Sequence, residues 1–157
     1  MSTVPVLFRR QARRTPRAVA VSSGDHELTY AALDGWSDAL AADLAGQGIR
    51  RGDRVGVCLA RSAELVVALL GVLKAGAAYV PFDTAEARPR LAAMARDAML
   101  DVVVCDADTE PLIGGVGVKL AEVPRAPGGA EPPATAITGA DLAALMYTSG
   151  STGTPKG

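Results

Sequence analysis

Apolar residues recur along this chain in two alternating rhythms. Leu33, Trp36, Leu40 and Leu44 fall on one helical face, behind a Thr29 whose side chain suits an N-cap. This predicts a helix from residue 29 to about 47, closed by Gly48. A second helix is predicted from Ser62 through Val66, Leu69, Leu70 and Leu73 to Gly76. A third covers residues 88–99, with Leu91, Met94, Ala95 and Ala98 inward. Between them, residues 55–59, 78–82 and 102–104 are short apolar runs that read as strands. Val102, Val103 and Val104 are apolar on both faces, as suits a parallel strand covered from two sides.

At the start, a helix places Leu7, Phe8 and Ala12 toward the core and its arginines toward water. It stops before Pro16, because the residue before a proline avoids the helical region. Residues 18–21 read as a short strand and 23–25 as a turn, with Leu28 opening the next element. Strands alternating with helices predict an α/β fold with a parallel sheet and right-handed crossovers. Residues 124–139, rich in Pro, Gly, Ala and Thr, read as an exposed connection, locally extended at Pro132 and Pro133. The expected organisation is an α/β body over 1–123, a loop over 124–139, and a strand with a Gly-rich turn over 140–157.

Composition narrows the classes. The 157 residues suit one domain or a large piece of one, 49% of them are apolar, and the net charge is −1. That balance argues against nucleic acid as the main partner. No apolar run is long enough to span a membrane and no secretory signal is visible, so a cytoplasmic protein is expected. Arg9, Arg10, Arg13, Arg14 and Arg17 read as a solvated basic face rather than a transit peptide. Cys58 and Cys105 lie in apolar stretches and read as buried free thiols; His26 reads as solvated in a polar turn. Two separated cysteines and one histidine do not make a zinc site, and no motif supports a Ser-His-Asp triad.

The chemistry concentrates in residues 145–157, LMYTSGSTGTPKG. Gly150 and Gly153 let the backbone turn tightly and bring N–H groups close to an anion. Thr148, Ser149, Ser151 and Thr152 add hydroxyl donors, and Lys156 adds a mobile positive charge. Together they suit a polyphosphate. The Walker pattern fails here, since Pro155 stands where its second glycine should be and Gly157 where Ser or Thr should follow the lysine. A flexible Ser/Gly linker is the alternative on composition. Residues 142–147 ahead of the turn read as a buried strand, and α/β sheets place ligands where a strand feeds such a turn.

This segment resembles the phosphate-loop motif of adenylate-forming enzymes, most specifically the adenylation domains of nonribosomal peptide synthetases. LTYAAL at 28–33 is similar to the first core motif of that family, and LKAGAAYVPFD at 73–83 to its second, which is characteristic of the amino-acid-activating branch. The three stand in the family's order, so the resemblance covers about residues 7–157. Phe82 replaces the usual Leu or Ile, and the TAEARPRL run after Asp83 keeps only Arg90 and Leu91 of the family pattern. The residues themselves suit structure more than chemistry. Gly76 and Ala77 permit a tight helix-to-strand turn, Tyr79, Val80 and Phe82 suit sheet packing, and Asp83 suits either a helix cap or a pair with an arginine.

The resemblance implies the layered parallel-sheet N-terminal subdomain of the adenylate-forming fold, incomplete at its C-terminus. It implies that Thr148, Ser149, Gly150, Ser151, Thr152, Gly153 and Lys156 surround the phosphates of ATP, with Lys156 stabilising the departing pyrophosphate. Mg²⁺, an amino-acid substrate and a carrier domain's phosphopantetheine thiol follow from the same family, and a small accessory folding protein is a further possible partner. The family's ribose-binding Asp, pocket residues and C-terminal catalytic Lys lie downstream of this loop, so the 157 residues alone are expected to be inactive and prone to association. Two other readings stand beside this one: an aryl- or fatty-acid adenylate-forming ligase, and a truncated, non-catalytic interaction protein.

Overall fold

The computed structural model describes residues 2–125 and 131–148. In chain order the elements are α1 (Val4–Arg14), β1 (Val19–Ser23), β2 (His26–Thr29), α2 (Tyr30–Gly46), β3 (Arg54–Cys58), α3 (Ala63–Lys74), β4 (Ala78–Pro81), α4 (Arg88–Asp97), β5 (Val102–Cys105), α5 (Glu110–Ile113) and β6 (Lys119–Glu122). The caps fall where the sequence places them. The Ala32 N–H donates to the Thr29 hydroxyl and the Leu65 N–H to the Ser62 hydroxyl, each at 3.2 Å. Gly48 follows α2 with φ +103° and Gly76 follows α3 with φ +85°, the left-handed conformation that ends many helices.

β3, β4, β5 and β6 pair in parallel in the order β4-β3-β5-β6. Alternation along β5 sets the layers. Val102 and Val104 pack with Leu40, Leu44 and Val72 of α2 and α3, whereas Val103 and Cys105 pack with Leu91, Met94 and Ile113 of α4 and α5. Helices therefore cover both faces of the sheet. An outer layer, the antiparallel β1–β2 hairpin together with α1, lies on α2 and α3 through Phe8, Val21 and Leu28 against Leu33, Val67 and Leu70.

Three helices meet at one ammonium group. The Lys74 side chain is 1% exposed; its Nζ donates to Asp34 Oδ1 and Asp38 Oδ1 at 2.6 Å each and to the Asp34 carbonyl at 2.9 Å. The same nitrogen lies 5.7 Å from the centre of the Phe8 ring on α1. Arg9 of α1 donates to Asp38 Oδ1 at 3.1 Å. All three hydrogen-bonding positions of the ammonium are used, which is what makes a buried cation tolerable.

Several expectations change. His26 is exposed at the start of β2, not in a turn, and β2 precedes α2 where the pattern suggests a turn running straight into the helix. Leu7 is 49% exposed, because the core-facing side of α1 runs through Pro5, Phe8 and Ala12. Asp83 neither caps α4 nor pairs with an arginine; its Oδ1 accepts from the Ala85 N–H at 2.9 Å in a local turn, five residues before the helix begins at Arg88. α5 and β6 have no counterpart in the pattern reading, being four residues each. Met99, expected as the last residue of the third helix, instead follows α4 with φ +53°, an uncommon conformation for a side chain of this kind, and is 74% exposed.

Cys58 and Cys105 are free and buried, as expected, and face one another in register on β3 and β5. Burial pushes both thiols up to about 11, with the negative charge of Asp106 adding for Cys58 and that of Glu110 for Cys105. The folded state thus favours the protonated thiols, and their contribution to stability is lost as pH rises from the ordinary value of 9.0 toward about 11. Ellman's reagent at pH 8 is expected to react with neither thiol until the domain is unfolded in urea; prompt labelling of the native protein would contradict the buried placement. Lys74→Met keeps the stem and removes the charge. Because Asp34 and Asp38 retain some solvent, the expected loss lies near the lower end of about 3–5 kcal/mol, read by urea denaturation of the protein that carries this domain.

Candidate functional site

The approach to the Gly-rich segment is held at three places. The first is at residues 138–141. Asp141 Oδ2 accepts from the Thr138 N–H at 2.6 Å, and Asp141 Oδ1 accepts from Arg51 Nε at 2.9 Å. The Thr138 backbone N–H first, then the Arg51 guanidinium, hold the Asp141 carboxyl below its usual range. The second is at the sheet edge. The Tyr79 N–H donates to the Ala143 carbonyl and the Leu145 N–H to the Tyr79 carbonyl, each at 3.0 Å, in a parallel bridge between Tyr79 and Ala144. The chain at Ala144 therefore runs in the same direction as β4, toward the carboxyl edge where open α/β sheets present ligands.

The third is a side-chain contact. Tyr147 Oη donates to Asp97 Oδ2 at the end of α4. Burial first, and then this carboxylate, push the Tyr147 phenol up to about 12. Leu145 and Tyr147 pack, half-buried, on the α4 side of the sheet.

The predicted strand over 142–147 is thus a single bridge with an irregular continuation. Leu142 and Met146 are 53% and 55% exposed, so the segment is not buried as its composition suggests. β4 offers it pairing at one residue, and only one of its faces meets a packed layer. Of the candidate phosphate-binding residues, Thr148 is exposed at the end of the described segment. Ser149, Gly150, Ser151, Thr152, Gly153 and Lys156 lie outside the described residues.

Arg51, Asp141, Asp97 and Tyr147 carry the anchoring and were not singled out from the pattern. Thr138 and Asp141 do leave a trace, since a Thr and an Asp three residues apart form the side-chain-to-backbone bonds that start local turns. Tyr147 and Asp97 are 50 residues apart and leave no local trace. A cavity of about 180 Å³ lies beside the first anchor, lined by Thr3, Pro5, Leu73, Ala77, Ile137 and Leu142 among others. Thr148 does not line it, and the one carboxylate on its wall, Asp141, is engaged by Arg51.

The model of the AMP-binding enzyme family matches residues 8–157. The chain belongs to that family.

The AMB antimetabolite synthetase AmbB of Pseudomonas aeruginosa is 44% identical over 154 residues, which cover 96% of this chain and 12% of AmbB. Among solved structures, the N-terminal subdomain of Klebsiella oxytoca NpsA superposes with a TM-score of 0.81 at 26% identity, covering 99% of this chain and 40% of that one. The AMPPNP-bound form of the nonribosomal peptide synthetase FmoA3 superposes with a TM-score of 0.84 at 31% identity, covering 92% of this chain and 16% of that one. The chain thus spans a small part of the length of the relatives it matches. Within the family it resembles the adenylation domains of nonribosomal peptide synthetases, and its parallel sheet corresponds to their N-terminal subdomain. No helix among the described residues is long and apolar enough to cross a membrane.

The Arg51–Asp141 anchor generates a test. Asp141→Asn is expected to speed amide hydrogen exchange at Tyr79 and Leu145, whose N–H groups close the bridge beside it. Unchanged exchange at both would remove Asp141 from this role.

Proposed function

We propose that this chain forms the N-terminal part of an enzyme that activates an amino acid with ATP. The products are an aminoacyl-adenylate and pyrophosphate, and the aminoacyl group then passes to the phosphopantetheine thiol of a carrier domain. The match to the AMP-binding family over residues 8–157, which takes in the whole Gly-rich segment, carries this reading. The second core segment, LKAGAAYVPFD, supports an amino acid over an aryl or fatty acid as substrate.

In this reading the amino-acid carboxylate attacks the α-phosphate of ATP, and negative charge builds on the departing pyrophosphate. The hydroxyls of Thr148, Ser149, Ser151 and Thr152 donate to the phosphate oxygens. Gly150 and Gly153 allow backbone N–H groups to approach, and Lys156 supplies the positive charge. Donors fixed in place before the charge develops lower the barrier without reorganising during the step. The bond from Tyr147 to α4, one residue before Thr148, supports such fixing at the start of the segment.

Mg²⁺ neutralises phosphate charge in chemistry of this kind. Among the described residues no three His, Cys, Asp or Glu side chains are grouped so that they could hold a metal ion.

The test is Lys156→Ala in the intact protein, followed by amino-acid-dependent exchange of pyrophosphate into ATP. The expected result is a fall in exchange rate of about a hundredfold or more, the size seen when one transition-state donor is removed, with amino-acid binding little changed. Equal exchange by variant and parent would refute the assigned role.

A further inference from the structure

Asp97 ends α4 in a place where local electrostatics disfavours it. The C-terminal end of a helix carries partial negative charge, and a carboxylate there meets unfavourable potential. The same turn runs into Met99, whose φ of +53° is unusual for a residue other than glycine. Such departures from local preference point to a demand from elsewhere in the fold. Here the demand is visible. Asp97 accepts a hydrogen bond from Tyr147 Oη, across 50 residues of sequence and one residue before the first candidate phosphate ligand, Thr148.

The groups around this contact suit a fixed anchor. Arg54, at the start of β3, donates to the Ala98 carbonyl at 3.3 Å and so holds the end of α4 against the sheet. The positive charge of Arg54 also acts on the Tyr147 phenol, opposing the upward push from burial and from Asp97. The ring of Tyr147 packs on the cluster that contains Leu91, Met94 and Ala98. The last fixed point of the backbone before Thr148 is the bridge at Ala144 and Leu145. Between that bridge and Thr148, Tyr147 supplies the only described side-chain hydrogen bond.

We propose that Asp97 is a positioning residue for the phosphate-binding segment. Through the hydroxyl of Tyr147 it sets where and in what direction the backbone enters Thr148, the first residue proposed to meet the phosphates of ATP. It touches neither substrate nor ATP. The inference rests on the reaction proposed above, and it assigns a role to a helix terminus outside the three sequence motifs.

The experiment uses the intact protein with Asp97→Ala, Asp97→Asn, Tyr147→Phe and the Asp97→Ala/Tyr147→Phe double variant. Pyrophosphate exchange gives kcat and the KM values for ATP and amino acid, and amide exchange at residues 145–148 reads the anchor directly. Asp97→Ala and Tyr147→Phe are each expected to lower kcat/KM for ATP by about ten- to a hundredfold, the scale of a small misplacement of reacting groups. The KM for the amino acid should stay unchanged. The double variant should be no worse than either single, because both remove the same bond. Asp97→Asn, whose amide oxygen still accepts, should recover most of the loss. Amide exchange at 145–148 should quicken in the Ala and Phe variants. Faster amide exchange with unchanged ATP kinetics would overturn the positioning role, and so would additive losses in the double variant. Unchanged amide exchange would overturn the anchor itself. If the parent protein shows no pyrophosphate exchange with any amino acid, the proposed reaction fails. The amide measurement still decides whether Asp97 holds the segment.

Discussion

A single buried ammonium organises one half of this molecule. Lys74 sits at the end of α3, where it satisfies two carboxylates and a carbonyl of α2 and lies beside an aromatic ring of α1. Apolar packing alone would let α2 slide along α3, since leucine and valine faces are tolerant of small shifts. Directional bonds to Asp34 and Asp38 remove that freedom. The register of α2 on α3 then fixes how α3 delivers the chain into β4, and β4 is the strand beside which residues 143–145 lie.

The segment leading to Thr148 is held differently. Among the described residues it pairs with β4 through a single bridge, at Ala144. Its position depends on polar contacts at spaced points: Arg51 with Asp141, Tyr79 with the backbone at Ala143 and Leu145, and Asp97 with Tyr147. Such contacts constrain direction more sharply than apolar ones, and each can be released without unfolding the sheet. A segment approached in this way is positioned without being sealed into the core.

Much of the fold was legible because its signals are local. Thr29 and Ser62 announce helix starts, Gly48 and Gly76 announce ends, and the leucine spacing of α2 names its buried face. The three Val residues of β5 announce a strand with two covered faces. What escaped is non-local or short. β2, the second strand of the hairpin, shows only partial alternation, and β2, α5 and β6 are four residues each, too few for a period to emerge. Nothing in the sequence near Lys74 marks it as buried, because its partners lie 36 and 40 residues away. The apolar look of residues 142–147 suggested burial, but only Leu145 and Tyr147 found a layer to pack on. Of the candidate site, the chemistry proposed for the Gly-rich segment rests on its residue types. Its anchoring was not, because Asp97 and Arg51 are brought to it only by the fold.

Lys74, Gly76 and Tyr79 fall within six residues, and each answers to a different neighbour. Lys74 serves α2, and Tyr79 serves the segment at Ala144. Gly76 leaves room for Thr135, whose methyl would stand 2.6 Å from any Cβ placed there, and for the Arg51 backbone. The stretch works as a junction through which three otherwise separate parts of the chain are kept in mutual alignment. A change at any one position calls for a matching change on a different segment, and no single compensating substitution serves all three. That crowding of obligations gives a short run of unremarkable residues the character of a signature, although none of the three is among the groups proposed to meet ATP.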